Sequence, residues 1–200
     1  MFSIYQRGQY IVNFSLTLVG LISLFIVASS WAQLYTNNVF SIDSSISNVT
    51  PTANIKFSRR FGSSGGKPKE NTKLIFDLDT DLTPLWNWNT KQVFIYLTVE
   101  YPGKKPESSN KVVYWDKIIT DKNGANLTLS NELSKYSVWD VEESFRNREA
   151  TVKLEWNIQP YVGPLVYGAT LGKSEFIFPD VVQNSKKTKE KTKNSRNKNY

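Results

Sequence analysis

Three aspartates at alternate positions, Asp77, Asp79 and Asp81, come nearest in this chain to a metal-ligand pattern. A calcium loop of the D-x-D-x-D-G type needs a sharp glycine turn after the third aspartate and a glutamate further on. Leu82 stands at the glycine position. A spacing of two also places the three carboxylates on one face of a β-strand. We therefore predict a solvated strand face rather than a calcium site, and no cofactor.

Residues 62–68, with the sequence GSSGGKP, share part of the pattern of a phosphate-binding loop. Pro68 replaces the Ser or Thr that would bind Mg²⁺, and the glycine spacing is one residue short. We interpret the segment as a flexible connection.

Acid and base catalysis would depend on carboxylates, because the chain contains no histidine. A glycoside hydrolase needs two carboxyl groups at a defined separation. Spacing alone does not choose a pair among the candidates, which are Asp77, Asp79, Asp81, Glu100, Asp116, Asp140, Glu142 and Glu143. Composition also leaves a Ser–Lys dyad open, although no serine lies in a recognisable nucleophile turn.

The absence of both histidine and cysteine excludes several classes of function. Without them there is no Ser-His-Asp triad, cysteine nucleophile, His/Cys zinc site or iron–sulfur cluster. Disulfides are excluded too, so the fold must be stabilised by its core alone.

The net charge of +7 is concentrated in the C-terminal tail. Residues 185–200 carry seven Lys or Arg against Glu190, a net of +6 that leaves +1 for the rest of the chain. A nearly neutral body offers no basic face to nucleic acid, so no nucleic-acid partner is predicted. The tail, residues 184–200, is low in apolar residues and is predicted to be disordered.

The element that positions the rest of the chain is an apolar run near the N-terminus. No charged residue lies between Arg7 and Asp43, and Ile11–Ser29 is nearly all apolar. As a helix at about 1.5 Å per residue this run spans about 28 Å, one hydrocarbon core. We predict a transmembrane helix over residues 11–31, in contact with the lipid bilayer. A cleaved signal peptide is the alternative, but the run exceeds the roughly 7–15 apolar residues typical of one.

Flanking positive charge predicts the orientation of this helix. Arg7 and the amino terminus precede the span, and the next cation after it is Lys56. The positive-inside rule places residues 1–10 in the cytosol and the bulk of the chain across the membrane. The sequence therefore predicts a single-pass type II protein.

The remainder of the sequence predicts a mainly β fold, an antiparallel β-sandwich over residues 53–183, joined to the helix by a linker over residues 32–52. Alternating apolar residues with turn signals between them are typical of such a fold. An Asn-Gly pair within residues 121–124 predicts a hairpin. The predicted strands are Ala53–Phe61, Lys73–Leu82, Lys91–Tyr101, Val112–Ile119, Ala150–Ile158 and one or two strands within Leu165–Phe178.

Two N-glycosylation sequons lie outside the apolar run. Asn126-Leu127-Thr128 follows the Asn-Gly pair, and Asn48-Val49-Thr50 lies in the predicted linker. We predict Asn126 and Asn48 as acceptors.

Three blocks carry a resemblance to a known family. They are FDLDTDLTPLWNWNTKQVFIYLTVEY (Phe76–Tyr101), VVYWDKII (Val112–Ile119) and LEWNIQPYVGPL (Leu154–Leu165). In this order after an N-terminal anchor, the chain resembles signal peptidase complex subunit 3 over roughly residues 1–182. One departure is Glu149, which stands where family members often carry a sequon asparagine.

The resemblance implies a non-catalytic, single-pass type II protein of the endoplasmic reticulum membrane with a lumenal sandwich. It implies as partners the catalytic serine protease subunit and the other membrane subunits of the complex. The motif residues it singles out, for structure or for partner docking, are Trp88, Asn89, Lys91, Gln92, Trp115, Asp116, Lys117, Trp156, Asn157 and Pro160. We interpret the three tryptophans as core residues. The asparagines and Asp116 are expected to satisfy buried backbone groups.

The alternative function is a membrane-anchored or secreted recognition module of the lectin or adhesion type. In that case Trp86 and Trp88 would be exposed around a pocket.

Overall fold

The computed structural model describes residues 3–57, 69–103, 105, 107–139 and 144–180. Several sequence-based expectations fall outside this part of the chain. They concern the glycine-rich segment 62–68, the tail 184–200, and the acidic residues Asp140, Glu142 and Glu143.

The N-terminal helix, α1, spans Ile4–Thr36 and is longer than the predicted residues 11–31. It begins early because Ser3 and Gln6 form a reciprocal capping box that satisfies the first free N–H groups. It ends at Thr36 with Asn37 as the C-cap, and Asn38 turns the chain away with a φ of 51°. Hydropathy marks the membrane-crossing part of a helix, whereas the backbone hydrogen bonds continue until a cap or turn ends them. By length and composition α1 suffices to cross a membrane.

Within the described residues, eight strands follow α1 and form two four-stranded antiparallel sheets. The first sheet has the order β1-β2-β5, with β6 also paired to β2, and the second has the order β4-β3-β7-β8. The predicted combination of one apolar helix and an antiparallel β-sandwich is confirmed. The strands are β1 (Ser45–Lys56), β2 (Lys69–Asp81), β3 (Thr90–Pro102), β4 (Ser109–Ile119), β5 (Asn126–Leu133), β6 (Val138–Trp139), β7 (Glu149–Pro160) and β8 (Val166–Ile177).

The boundaries predicted for the linker, 32–52, and for the start of the sandwich, residue 53, differ from the structure. α1 continues to Thr36, a 3-10 turn covers Val39–Ser41, and β1 already begins at Ser45. The Ser- and Asn-rich composition conceals a strand that alternates buried Ile46 with exposed neighbours. Pro51 is tolerated because β1 is an edge strand of its sheet.

The predicted hairpin at the Asn-Gly pair is wrong. β4 and β5, which flank the pair, belong to different sheets, so the turn crosses the sandwich. Lys122–Gly124 forms a 3-10 turn in which the Asp121 carboxylate accepts the Asn123 N–H at 3.1 Å. Neither residue of the pair has the positive φ that a type I′ hairpin requires.

The core lies between the inward faces of the two sheets. Phe76 of β2 meets Trp115 of β4 edge to face at 5.9 Å between ring centroids. At the end of the sandwich nearest α1, Phe40 packs against the fully buried Trp156 at 5.9 Å. The opposite end is closed by an aromatic cluster of Tyr101, Phe145, Phe176 and Phe178.

Candidate functional site at the junction of helix and sandwich

Two loops of the sandwich meet the C-terminal part of α1. We define the β2–β3 loop as residues 82–90, including Thr90 as the first residue of β3, and the β7–β8 loop as residues 161–165. The two loops are adjacent because β3 and β7 pair in register, with Thr90 opposite Pro160. They line a small cavity together with Val27, Ser30 and Leu34 of the helix.

The β2–β3 loop is held by its own side chains. It opens with a 3-10 turn, Thr83–Leu85, whose first N–H is accepted by the Asp81 carboxylate at 2.9 Å. The buried Thr90 hydroxyl donates to the Leu85 carbonyl at 3.1 Å and accepts the Asn87 N–H at 3.2 Å. These bonds replace a strand ladder where the chain changes sheets. The Asn87 side-chain oxygen accepts the Asn89 N–H at 2.9 Å, which fixes the direction of that side chain.

Asn89 joins the β2–β3 loop to the β7–β8 loop. Its amide donates to the Val162 carbonyl at 2.8 Å, and its side-chain oxygen accepts the Val162 N–H at 3.1 Å. Its own carbonyl accepts the Tyr161 N–H at 2.8 Å. Asn89 is 2% exposed, so its buried side chain makes the two hydrogen bonds to Val162 that a paired strand backbone would otherwise make. The Asn89 side chain therefore satisfies the backbone N–H and carbonyl of the half-buried Val162.

The helix is tied to this frame by a hydrogen bond. The Asn87 amide donates to the Ser30 hydroxyl at 2.9 Å, and Ser30 is 5% exposed. One turn further along α1, Leu34 is buried, and Val39 just beyond the helix is a core residue. The end of α1 is thus part of the sandwich core rather than a free tether.

Gly163 provides the close approach between the β7–β8 loop and α1. Its φ is 119°, a conformation that favours glycine. A Cβ there would lie 2.8 Å from Cγ2 of Val27. Because valine in a helix has one strongly preferred rotamer, the helix could not yield easily.

The three segments that form this junction carry no charged side chain near neutral pH. Three segments meet there, residues 8–42, 82–90 and 156–172, and none of them contains Asp, Glu, Lys or Arg. The polar groups that face the junction are amides, hydroxyls and backbone atoms. Such an arrangement orients a helix relative to a domain, and its groups do not exchange protons near neutral pH.

Four further motif residues lie close to this junction. Gln92 and Gln159 hydrogen-bond across β3 and β7 at 2.6 Å, and Pro160 ends β7 opposite Thr90. Lys91 is exposed at the start of β3. Asn157 lies on the outer face of the second sheet, between β3 and β8.

The interpretation of all three motif tryptophans as core residues is wrong for Trp88. Trp115 and Trp156 are buried, but Trp88 is 58% exposed on the β2–β3 loop. Trp88 faces outward because its two neighbours, Asn87 and Asn89, both point inward to make the bonds described above. Trp86 is half-buried against the core.

The other three motif residues lie on β4, in the middle of the second sheet's edge. The Trp115 indole N–H donates to the Glu132 carboxylate at 3.1 Å. Asp116 lies 3.6 Å from the Lys135 ammonium, and its hydrogen bond to Tyr136 raises the pKa of that phenol. Asp116 therefore pairs with side chains rather than with the backbone groups expected. Lys117 lies beside it, opposite Ile95.

The alternating aspartates lie on the outer face of the first sheet, as predicted. Asp77 accepts hydrogen bonds from the Asn48 side chain and from the Asn131 N–H at 2.6 Å. These bonds hold the pKa of Asp77 below its usual range. Asp79 accepts the Thr128 hydroxyl, and Asp81 caps the 3-10 turn. The three carboxylates therefore serve three separate hydrogen-bonding roles.

The two sequons differ in their surroundings. Asn126 is exposed at the start of β5, directly after the turn that crosses the sandwich. Asn48 is also exposed, but it sits in a β1 bulge with a φ of 50° and donates to Asp77.

Among the other candidate acids, Glu100 is paired with Ser109 and Lys153, and these donors lower its pKa.

Sequence reasoning missed the helix side of the junction. Ser30, Asn87 and Gly163 were not among the predicted site residues, although each makes a contact that fixes α1 to the sandwich. The signal that could have found them is the lack of charge, shared by three segments distant in sequence.

Comparison with known proteins identifies the family of this chain. A sequence model of the SPC22 family, described as signal peptidase subunit, matches residues 1–181. Three relatives bear the name signal peptidase complex subunit 3. The protein of Debaryomyces hansenii is 54% identical over 94% of this chain and 100% of its own length. The protein of Saccharomyces cerevisiae is 50% identical over 86% of this chain and 94% of its own length. The Homo sapiens protein is 37% identical over 60% of this chain and 68% of its own length. With its family model matched along most of its length, this chain belongs to the SPC22 family of signal peptidase subunits.

Proposed function

We propose that this chain is a non-catalytic subunit of the endoplasmic reticulum signal peptidase complex. In this role α1 spans the membrane with its N-terminus in the cytosol, and the sandwich lies in the lumen. The sandwich supports the serine protease subunit while signal peptides are removed from translocating proteins.

The observation that carries the proposal is the fixed junction between α1 and the sandwich. A bond from Asn87 to Ser30, a glycine contact at Val27 and the burial of Leu34 leave no flexible connection at this point. A support that must hold a partner at one height above a membrane needs such a rigid connection. A domain that captures soluble ligands would work equally well on a flexible stalk.

A supporting rather than catalytic role agrees with the side-chain chemistry. The sequence lacks histidine and cysteine, and the acidic candidates on the described strands are engaged by donors such as Lys153 and Asn131. None of the groups at the junction serves as a general base near neutral pH.

The direct test is purification of the tagged full chain from membranes in mild detergent. We expect a membrane serine protease to co-purify and to cleave a signal-peptide substrate, whereas the chain alone is inactive. Peptidase activity of the purified chain alone would refute the non-catalytic role.

A matched pair of variants tests the rigid connection. Asn87→Ala removes the bond to Ser30 together with the acceptor of the Asn89 N–H, and Asn123→Ala changes an exposed asparagine in a turn. We expect Asn87→Ala to reduce processing several-fold in membranes at equal subunit levels, with Asn123→Ala at the wild-type rate. Equal rates for both would contradict a supporting role for the junction.

The orientation and the sequons are tested together. If the sandwich is lumenal, Asn126 is accessible to the glycosylation machinery, and Asn126→Gln should remove one step of the endoglycosidase-sensitive shift in mobility. Asn48→Gln reports separately on the second sequon. Digestion of the sandwich by protease added to intact microsomes would contradict the lumenal placement.

An anchored recognition module is the second candidate, and the exposure of Trp88 favours it. Binding of a soluble glycan by the wild type, lost in Trp88→Ala, would support that function over the first.

A further inference from the structure

We propose that the two loops around α1 rest in the interfacial zone of the lipid bilayer, so that the sandwich contacts the membrane with its own residues. The occupant of this surface is the lipid headgroup region. This inference rests on the membrane-spanning role of α1 and goes beyond it, because a helix can cross a bilayer while its domain stands clear in water.

The first step of the argument is the height of the β7–β8 loop along the helix. Gly163 lies against Val27, two residues before the end of the apolar run Ile11–Ser29. At 1.5 Å per residue the contact is about 3 Å from the end of that run. If the run fills the hydrocarbon core, the loop is level with the boundary between acyl chains and headgroups.

The second step is the chemistry of the exposed residues at this height. Trp88 of the β2–β3 loop is 58% exposed, and Tyr161 of the β7–β8 loop is 68% exposed. Leu165 and Trp31 are exposed beside them. Trp and Tyr are enriched at membrane interfaces, because the ring is apolar and its polar tip remains hydrated.

The third step is the distribution of charge. Both loops lack Asp, Glu, Lys and Arg, and they are continuous in space with the uncharged helix. Charges return at the border of this surface. They are Asp81 just before the β2–β3 loop, Lys91 at the start of β3, and Asp121 and Lys122 in the turn between β4 and β5 at the same end of the sandwich. A long lysine can keep its ammonium in water while its stem lies against apolar groups.

The far end of the sandwich has a different character. The turn after β3 carries exposed Lys105 and Glu107, and β3 separates it from the loops by about 40 Å along the strand. Only the loops next to α1 are therefore expected to touch lipid.

Single-cysteine labelling suits this chain, which contains no native cysteine. The full-length variants Tyr161→Cys, Glu107→Cys and Leu16→Cys would carry an environment-sensitive fluorophore in phosphatidylcholine nanodiscs. Nitroxide lipids labelled near the headgroup or at the acyl-chain end probe depth, and iodide probes water. Leu16, exposed within the apolar run and about 6 Å from its midpoint, is the reference for membrane insertion.

We expect the headgroup-level nitroxide to quench the label at residue 161 several-fold more than the label at residue 107. Iodide should show the reverse order. The label at residue 16 should be quenched best by the acyl-chain-end nitroxide. Because residue 161 is exposed, the substitution leaves the core intact, and Trp88→Cys provides a second, independent site.

If the label at residue 161 is quenched to the same extent as the label at residue 107 while the label at residue 16 is quenched by nitroxide lipids, the lipid contact of the loops is overturned. The membrane-spanning role of α1 is then retained. If nitroxide lipids do not quench the label at residue 16 either, the membrane-spanning role of α1 is contradicted as well. Labels at residues 161 and 88 that are shielded from both quenchers only in the purified complex would show a protein partner on this surface, which also overturns the lipid contact.

Discussion

Replacing Asn89 by alanine is expected to weaken the junction without touching the hydrophobic core. The substitution removes the two hydrogen bonds to Val162 and leaves its N–H and carbonyl without their partners. A buried group left unsatisfied costs about 1–3 kcal/mol. Val162 is half-buried, so water replaces part of the loss and the lower end of that range applies to each group. We expect Asn89→Ala to lower the free energy of unfolding by about 2–3 kcal/mol.

Two further variants make the reasoning specific to the hydrogen bonds. Asn89→Asp keeps an acceptor for the Val162 N–H but sets a carboxylate oxygen against the Val162 carbonyl, so we expect at least an equal loss. Asn123→Ala, at an exposed turn, should stay within about 0.5 kcal/mol of the wild type.

The measurement is urea unfolding of the full chain in detergent micelles, followed by near-ultraviolet circular dichroism. Hydrogen exchange of the β7–β8 loop adds a local readout, because the Tyr161 N–H bonds to the Asn89 carbonyl and its loop should open first. A loss below about 0.5 kcal/mol for Asn89→Ala would refute the reasoning, since it would place the site within the range of ordinary surface positions.

Two other perturbations test the packing and the electrostatics. Gly168→Ala would place a Cβ 2.5 Å from Cη2 of the fully buried Trp156. We expect it to lower the free energy of unfolding by about 3 kcal/mol, measured by thermal or urea unfolding. The control Gly124→Ala, whose Cβ would make an ordinary 3.6 Å contact, should be nearly neutral. The pKa of Asp77 is lowered in the fold, so the stabilisation by its carboxylate is complete above the ordinary pKa of about 4 and is lost as the pH falls below it. In urea titrations at pH values falling from about 4, the wild type should therefore lose stability relative to Asp77→Asn. A constant difference between these two proteins over that range would contradict the role of the carboxylate.

Much of the fold followed from local patterns. The alternation in β2, β3 and β7 and the long apolar run predicted the sandwich and the helix, because burial of one face selects a period of two residues and a membrane selects a continuous apolar segment. The places where prediction failed have a common cause. β1 is rich in Ser and Asn, and the Asn-Gly pair crosses between sheets rather than closing a hairpin. In both, the partner strand decides the conformation.

The motif residues show the same division. Sequence and family resemblance identified Asn89 and Trp88, but not that one is buried and bonded while its neighbour is exposed. The difference arises from loop geometry, since side chains in a non-repeating loop have no fixed period.

The sequence by itself determined that this chain has one apolar helix, a β-rich body without histidine or cysteine, and a place among signal peptidase subunits. Only the tertiary structure decided that the helix is locked to the sandwich, through Ser30, Asn87 and Gly163. These residues are 57 and more positions apart along the chain. Contacts of that kind leave no local pattern, because they exist only once the strands have brought the loops together around the helix.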